Sequence, residues 1–195
     1  MLIGITGGSG CGKSTICEEL KKAGIEIIDA DTAAREVTAK GSPALDEIKV
    51  RFGNEFFASD GSLLRKKLGS LVFSDEQALA DLNSITHKYI DINIDNKIKK
   101  SSAQIICIDA PLLFEYGMNK RCDLVVSVIA DKKDRIHRIC QRDGLSEKDA
   151  ENRINSQHSD EFYLEKSDYI VYNNGTRESL FSEIKKLIEY LREKL

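Results

Sequence analysis

Nine residues near the start of the chain, Gly7-Gly8-Ser9-Gly10-Cys11-Gly12-Lys13-Ser14-Thr15, have the composition of an anion cradle. Gly7, Gly12, Lys13 and Ser14 satisfy the pattern G-x-x-x-x-G-K-[ST]. Glycine reaches backbone conformations closed to other residues, so N–H groups can turn inward around phosphate oxygens. A helix following the loop adds its unpaired N–H groups and the positive end of its dipole. Lys13 is then placed for the β- and γ-phosphates, and the Ser14 hydroxyl for Mg2+. Gly8, Ser9, Gly10, Cys11, Gly12 and Thr15 complete the triphosphate-binding set, with Cys11 read as a small tolerated side chain rather than a redox switch. The pattern specifies a nucleoside triphosphate and says nothing about an acceptor.

Acids beside such a loop gain meaning. Asp29-Ala30-Asp31 closes an apolar stretch, and ligands of open α/β sheets bind at the carboxyl ends of strands. A carboxylate there can orient or deprotonate an attacking hydroxyl, or hold Mg2+ through water. Asp before a helix starting near Thr32 can equally be a cap. Asp31 reads as the functional acid; for Asp29 both readings stand. Ile105-Ile106-Cys107-Ile108-Asp109 is another apolar run closed by an acid, and its carboxylate could approach Mg2+ directly or through water. Farther on, Arg135, Arg138 and Arg142 fall at i, i+3 and i+7 of a helical stretch and share one face, with Arg153 on a following polar helix. Charge spread over transferring phosphoryl oxygens calls for the fixed donor fork of arginine. A basic hairpin closing over the triphosphate would also exclude water. A solvated helix face with an Asp134–Arg138 pair is the competing reading. Beside the loop, Arg138 and Arg142 read as nucleotide ligands, and Lys13, Asp31 and Arg138 as the catalytic set. His137 and His158 read as surface residues, and no metal-like histidine cluster exists.

The elements that must position these groups are short apolar runs alternating with helical periodicity, the mark of an α/β fold with a mostly parallel sheet. Candidate strands are 2–6, 25–28, 105–108, 124–129 and 169–172, rich in β-branched residues as suits strands buried on both faces. Residues 16–23 continue the loop as a helix. Between the second and third strands lie roughly 75 residues, far more than one crossover needs. Leu79, Leu82, Ile85, Tyr89 and Ile92 recur there at spacings of three and four, an apolar stripe read as core packing within a helical insertion. Leu180, Ile184, Leu187, Ile188 and Leu191 mark a last helix against the sheet. The net charge of -3 leaves no electrostatic footprint for nucleic acid. Five cysteines without a C-x-x-C pair point to reduced thiols. No apolar run nears membrane length. A cytoplasmic setting with no membrane partner is the expectation.

Block by block, the chain resembles the dephospho-CoA kinase family. The similarity runs through Gly4-Ile5-Thr6-Gly7-Gly8 and the loop, Asp29-Ala30-Asp31 with Arg35, Asp60-Gly61-Ser62-Leu63-Leu64-Arg65, Leu71-Val72-Phe73 and Ile85-Thr86-His87. It continues with Pro111-Leu112-Leu113-Phe114-Glu115, Arg138, Arg142-Asp143, Arg153-Ile154, Gln157, Asp168 and Asn173-Asn174-Gly175. The resemblance implies an α/β P-loop NTPase three-layer fold: a central parallel five-stranded sheet, an inserted helical substrate-binding region at about 32–100 and a helical lid at about 131–160, all in one kinase domain. It implies ATP as phosphoryl donor with Mg2+, dephospho-CoA as acceptor through its ribose 3′-hydroxyl, and a monomer or weak homo-oligomer. Asp31 would activate the hydroxyl; Thr6, Arg65, His87, Leu112, Leu113 and Glu115 would line the acceptor site, and Asn174 the ATP site. Departures from the family pattern are Gly69 for arginine, Lys88 after His87 for proline, Arg135 for glutamine, Tyr163 for a basic residue and Ser167 for alanine.

Other small-molecule kinases of adenylate, shikimate or gluconate type are the nearest alternative. A GTPase would need Asn-Lys-x-Asp, and Asn119-Lys120-Arg121-Cys122 brings Asp123 one place too late. A nucleic-acid module lacks an interleaved aromatic and basic stretch.

Overall fold

The computed structural model describes all residues from Met1 to Leu195. Five strands, β1 (Leu2–Thr6), β2 (Glu26–Asp29), β3 (Ile106–Asp109), β4 (Leu124–Ile129) and β5 (Tyr169–Tyr172), form one sheet in the order β2-β3-β1-β4-β5. β1 lies parallel to both β3 and β4, and β4 to β5. This is the α/β arrangement expected from the alternation of runs. Two strands are shifted by one residue from their apolar runs, so that Asp29 and Asp109 become the last residues of β2 and β3. The register sets Asp109 opposite Ile5, just before the phosphate loop leaves β1.

Two compact units make up the chain, Met1–Ile28 with Ser102–Leu195, and Asp29–Ser101. In the first, Ile3, Ile5, Val126 and Val128 of the sheet pack with Ile16 and Leu20 of α1 (Lys13–Lys22). Leu180, Ile184, Leu187 and Leu191 of α9 (Arg177–Glu193) belong to the same core. Burial on both faces is what removes the period-two alternation from these strands.

The second unit is helical: α2 (Ala30–Val37), α3 (Pro43–Phe52), α4 (Arg65–Val72) and α5 (Glu76–Lys100). Leu45, Ile48, Phe52, Phe56, Leu68, Val72 and Ala78 form its core, with Leu82 and Ile85 against it. The expected apolar stripe of α5 holds only in part, since Leu79 and Ile92 are exposed while Ala78, Ile90 and Ile94 are buried. A helix this long meets successive partners on different faces. Its first half serves the α3–α4 core, and its second half is tied to α2 where Glu36 accepts from Asn93 and pairs with Lys97. Local chemistry sets the helix starts: Asp29, Ser42 and Asp75 accept backbone N–H bonds at the N-caps of α2, α3 and α5.

Between β4 and β5 lie α6 (Lys132–Asp143), α7 (Glu147–Asn155) and α8 (Asp160–Lys166), with Ile139, Ala150 and Ile154 as a small apolar centre. No helix is long and apolar enough to cross a membrane.

Candidate active site

The loop between β1 and α1 owes its shape to glycine. Gly10 and Gly12 stand at φ 78° and 95°, left-handed conformations that side chains resist. At each, close neighbours add a second reason: a Cβ would fall 2.7 Å from the Arg135 carbonyl oxygen at Gly10, and 2.2 Å from Asn173 Nδ2 at Gly12. Gly12 is the N-cap of α1 and supplies no side-chain cap, so the first N–H groups of the helix stay available to an anion.

Outside contacts fasten the loop. Arg138 donates from Nη1 to the Gly10 carbonyl (3.1 Å) and from Nη2 to the Asn173 carbonyl (3.3 Å). Buried Asn173 donates to the Cys11 carbonyl at 2.8 Å. Asn174 is exposed, and its side chain accepts from the Asp131 N–H at 2.9 Å, joining the turn after β5 to the turn before α6. Burial pushes the Cys11 thiol up, which keeps it a neutral filler inside the loop.

Lys13 pairs with Asp109 at the end of β3. Burial opposes its charge, yet the Asp109 carboxylate outweighs that and holds the ammonium above its ordinary range. Lys13 is therefore fully cationic and already aimed into the sheet's carboxyl end. Ser14 is exposed in the first turn of α1. These are hard oxygen donors suited to Mg2+, but no cluster of three or more His, Cys, Asp or Glu side chains exists to hold an ion alone. That donor set fits a metal which completes its shell with water and phosphate oxygens.

The arginine face divides by depth. Arg135 is buried, Arg138 is half-buried at the loop, and Arg142 is exposed. Arg142 holds both oxygens of Asp143 at 2.8 Å, and Arg153 donates to the same carboxylate at 2.5 Å. Arg142, then Arg153, lowers the Asp143 pKa to about 2. The Asp134–Arg138 pair exists only as a long contact of 3.9 Å.

After β3, the Thr6 hydroxyl donates to the Pro111 carbonyl at 3.1 Å and is buried with that bond. Leu113 is wholly enclosed; a Cβ on Gly4 would meet it at 2.8 Å, so its role there is packing. Leu112 and Glu115 are the exposed members of this turn. His158 lies partly open at the surface, where it stacks on Phe162 at 3.8 Å and its Nε2 lies 3.3 Å from Glu115 Oε1. Tyr163, where a basic residue was expected, is buried in the same aromatic group with Phe114. Ser167 serves buried Ser127 through a 2.6 Å hydroxyl contact. Gly69 faces open space apart from Phe73, and nothing in the structure requires glycine there.

The remaining candidates lie in the second unit. The Asp29 carboxylate caps α2, accepting from the N–H of Thr32 at 2.9 Å and its hydroxyl at 3.0 Å. Asp31 is exposed in the first turn of α2, outside that cap. Arg65, the first residue of α4, donates to the Thr38 carbonyl at 3.0 Å. His87 is half-buried in α5; burial lowers its pKa, with Asp91 opposing. Lys88, in place of the family's proline, joins Tyr89 in binding Glu47 of α3, both at 2.6 Å.

Missed from sequence were Arg135 as a buried loop contact, and Gln157 and Asn173 as loop-holding side chains. Only three-dimensional proximity reveals them, since they lie more than a hundred residues downstream of the loop they hold.

Comparison with known proteins agrees with this geometry. A family model described as dephospho-CoA kinase matches residues 1–179. A dephospho-CoA kinase of Corynebacterium glutamicum is 41% identical over 189 residues, covering 95% of this chain and 94% of that protein. One from Fusobacterium nucleatum is 38% identical and covers 97% of each. The solved dephospho-CoA kinase of Campylobacter jejuni superposes with a TM-score of 0.73 at 28% identity, covering 99% of this chain and 98% of that one. With the strand–loop–helix site intact and the match spanning nearly its whole length, the chain belongs to the dephospho-CoA kinase family, P-loop kinases of the final step of coenzyme A biosynthesis.

Proposed function

We propose that this chain transfers the γ-phosphoryl group of ATP to the ribose 3′-hydroxyl of dephospho-CoA, with its residues dividing the work as follows. The observation that carries the reading is the glycine-shaped loop whose Lys13 is held cationic by Asp109 at the carboxyl end of the sheet. Lys13, Arg138 and the loop from Gly8 to Thr15, through those of its backbone N–H groups that are not already engaged as that of Ser9 is, bind the triphosphate and neutralise charge on the transferring group. Arg142 and Asn174 add nucleotide contacts. Lys13 exchanges its Asp109 partner for phosphate oxygens when ATP arrives, which frees the carboxylate. Ser14, with Asp109 through water, would hold Mg2+, which when bound would supply positive charge to the triphosphate.

Asp31 takes the proton of the acceptor hydroxyl, a role open to it because Asp29 alone serves the cap of α2. Arg65, His87, Leu112 and Glu115 contact the acceptor, while Thr6 and Leu113 support the turn that carries Leu112 and Glu115. Dephospho-CoA is the small-molecule partner; the cytoplasm is the working compartment, and the protein acts as a monomer or weak homo-oligomer.

ADP release should be followed with ATP, Mg2+ and single acceptors: dephospho-CoA, shikimate, gluconate and AMP. Turnover with dephospho-CoA alone is the expected outcome. Efficient phosphorylation of another acceptor, with dephospho-CoA inert, would overturn the assignment.

A further inference from the structure

Ser9 in the phosphate loop has every polar group engaged by just two side chains. Gln157, from the segment after α7, accepts from the Ser9 N–H at 2.8 Å and donates to its hydroxyl at 3.2 Å. Arg135 of α6 donates from Nε to the Ser9 carbonyl at 3.0 Å. The two clamp residues also bind each other, Arg135 Nη2 to Gln157 Oε1 at 3.3 Å. The contact is tight: a Cβ on Gly8 would lie 2.2 Å from Arg135 Nη2.

Two physical consequences follow from this geometry. First, a loop with glycines at 7, 8, 10 and 12 has large conformational entropy when untethered, and glycine loses more of it on ordering than any other residue. Fixing all three polar groups of Ser9 fixes the backbone at the third position of the loop before a ligand binds. Second, Arg135 is only 4% exposed and donates from Nη1 to the Asp160 carboxylate at 3.4 Å. Its guanidinium lies directly beside the loop, where its positive charge attracts a polyanion in the cradle.

We infer that Arg135 and Gln157 form a positioning clamp that holds the phosphate loop in its binding shape, with Arg135 adding long-range attraction for a nucleoside triphosphate. The clamp acts through Ser9 and the loop, not through the reacting atoms. It rests on the reading of the loop as the ATP site, and deepens it by assigning loop order to α6 and the segment after α7.

The test measures nucleotide affinity directly on the full chain, by calorimetric titration with MgATP and MgADP, alongside KM for each substrate and the melting temperature. Arg135→Met keeps the length of the side chain and removes its donors and charge; Gln157→Leu removes the grip on Ser9. Each should weaken MgATP binding by about tenfold or more, the scale of a charge-assisted hydrogen bond, while acceptor KM stays within about twofold. Gln157→Glu should keep the loop ordered but recover only part of the affinity, because its carboxylate accepts from the Ser9 N–H, the Ser9 hydroxyl and Arg135 while offsetting the guanidinium charge. For Arg135→Met a smaller loss is expected with MgADP, which carries less charge. Unchanged MgATP affinity in folded Arg135→Met and Gln157→Leu would overturn the clamp, as would a fall in melting temperature with kinetic constants preserved. Should Arg135→Met fail to fold, the Gln157 pair decides alone. A wild-type enzyme that binds MgATP yet ignores dephospho-CoA would refute the acceptor assignment and leave the clamp standing.

Discussion

At the scale of single residues, Asp29 is committed to a helix cap while Asp31, two positions on, lies outside that cap, which is the ground for proposing it as the acid that acts on the acceptor hydroxyl. Asp29 has its carboxylate committed to the Thr32 N–H and hydroxyl, so Asp29→Ala should cost about 1 kcal/mol of stability through loss of the cap, while Asp29→Asn keeps it. Asp31→Asn should leave stability near wild type and lower kcat by roughly a hundredfold or more, as removal of a general base does. Chemical denaturation and steady-state kinetics on the three variants check the pair. An Asp31→Asn enzyme with full turnover would return Asp31 to a helix-start role. Lys13→Ala should reduce kcat by at least about a hundredfold, since it removes a positive charge from the transferring phosphate. Near-normal turnover in that variant, measured by ADP release, would sink the role given to the loop lysine.

At the scale of elements, α5 shows how one helix can serve two duties. Its first half closes the core with α3 and α4, and its middle carries His87, partly withdrawn from water. Burial lowers the His87 pKa below 6.5, so the folded state binds fewer protons there than the unfolded state. Stability from this group is therefore present above about pH 6.5 and is lost as pH falls through the lower folded value. His87→Gln should remove that slope: the urea midpoints of wild type and variant should converge or cross between about pH 7.5 and 5.5. Parallel midpoints across the range would show that His87 titrates alike in both states. The face of α5 was only half legible in sequence. Leu82 and Ile85 lie against the core as their spacing predicts, but Leu79 and Ile92 face solvent, because the choice of buried face depends on which helix passes by and not on local periodicity. The arginine stripe of α6 behaved likewise. Spacing placed Arg135, Arg138 and Arg142 on one side, while packing beside the loop leaves Arg135 only 4% exposed and the Arg142 side chain 61% exposed.

At the scale of the molecule, stability of the nucleotide-binding unit rests on the sheet and on helices such as α9, whose Leu187 is completely enclosed. Leu187→Ala should lower stability by about 2–5 kcal/mol through lost burial and a residual cavity. ATP KM measured below the melting temperature should stay unchanged; a large rise in KM at full folding would mean that α9 governs the loop and not just the core. The sequence by itself determined the phosphate loop, the apolar runs of the five strands, the two acids that close β2 and β3, and the kinase family. Each depends on residues near in sequence, where spacing, glycine freedom and side-chain chemistry leave few alternatives. Tertiary structure alone decided that Leu113 and Thr6 are buried supports, that His158 stacks on Phe162, and that Lys13 rests on Asp109. It alone also brought Arg135, Gln157 and Asn173 to the loop, across more than a hundred residues of chain. Such contacts are fixed by the sheet order, which sets β4 beside β1 and β5 beside β4, and that order is written in no local pattern. The glycine-rich loop announces itself in nine residues; the side chains that hold it in shape are known only once the chain has closed around it.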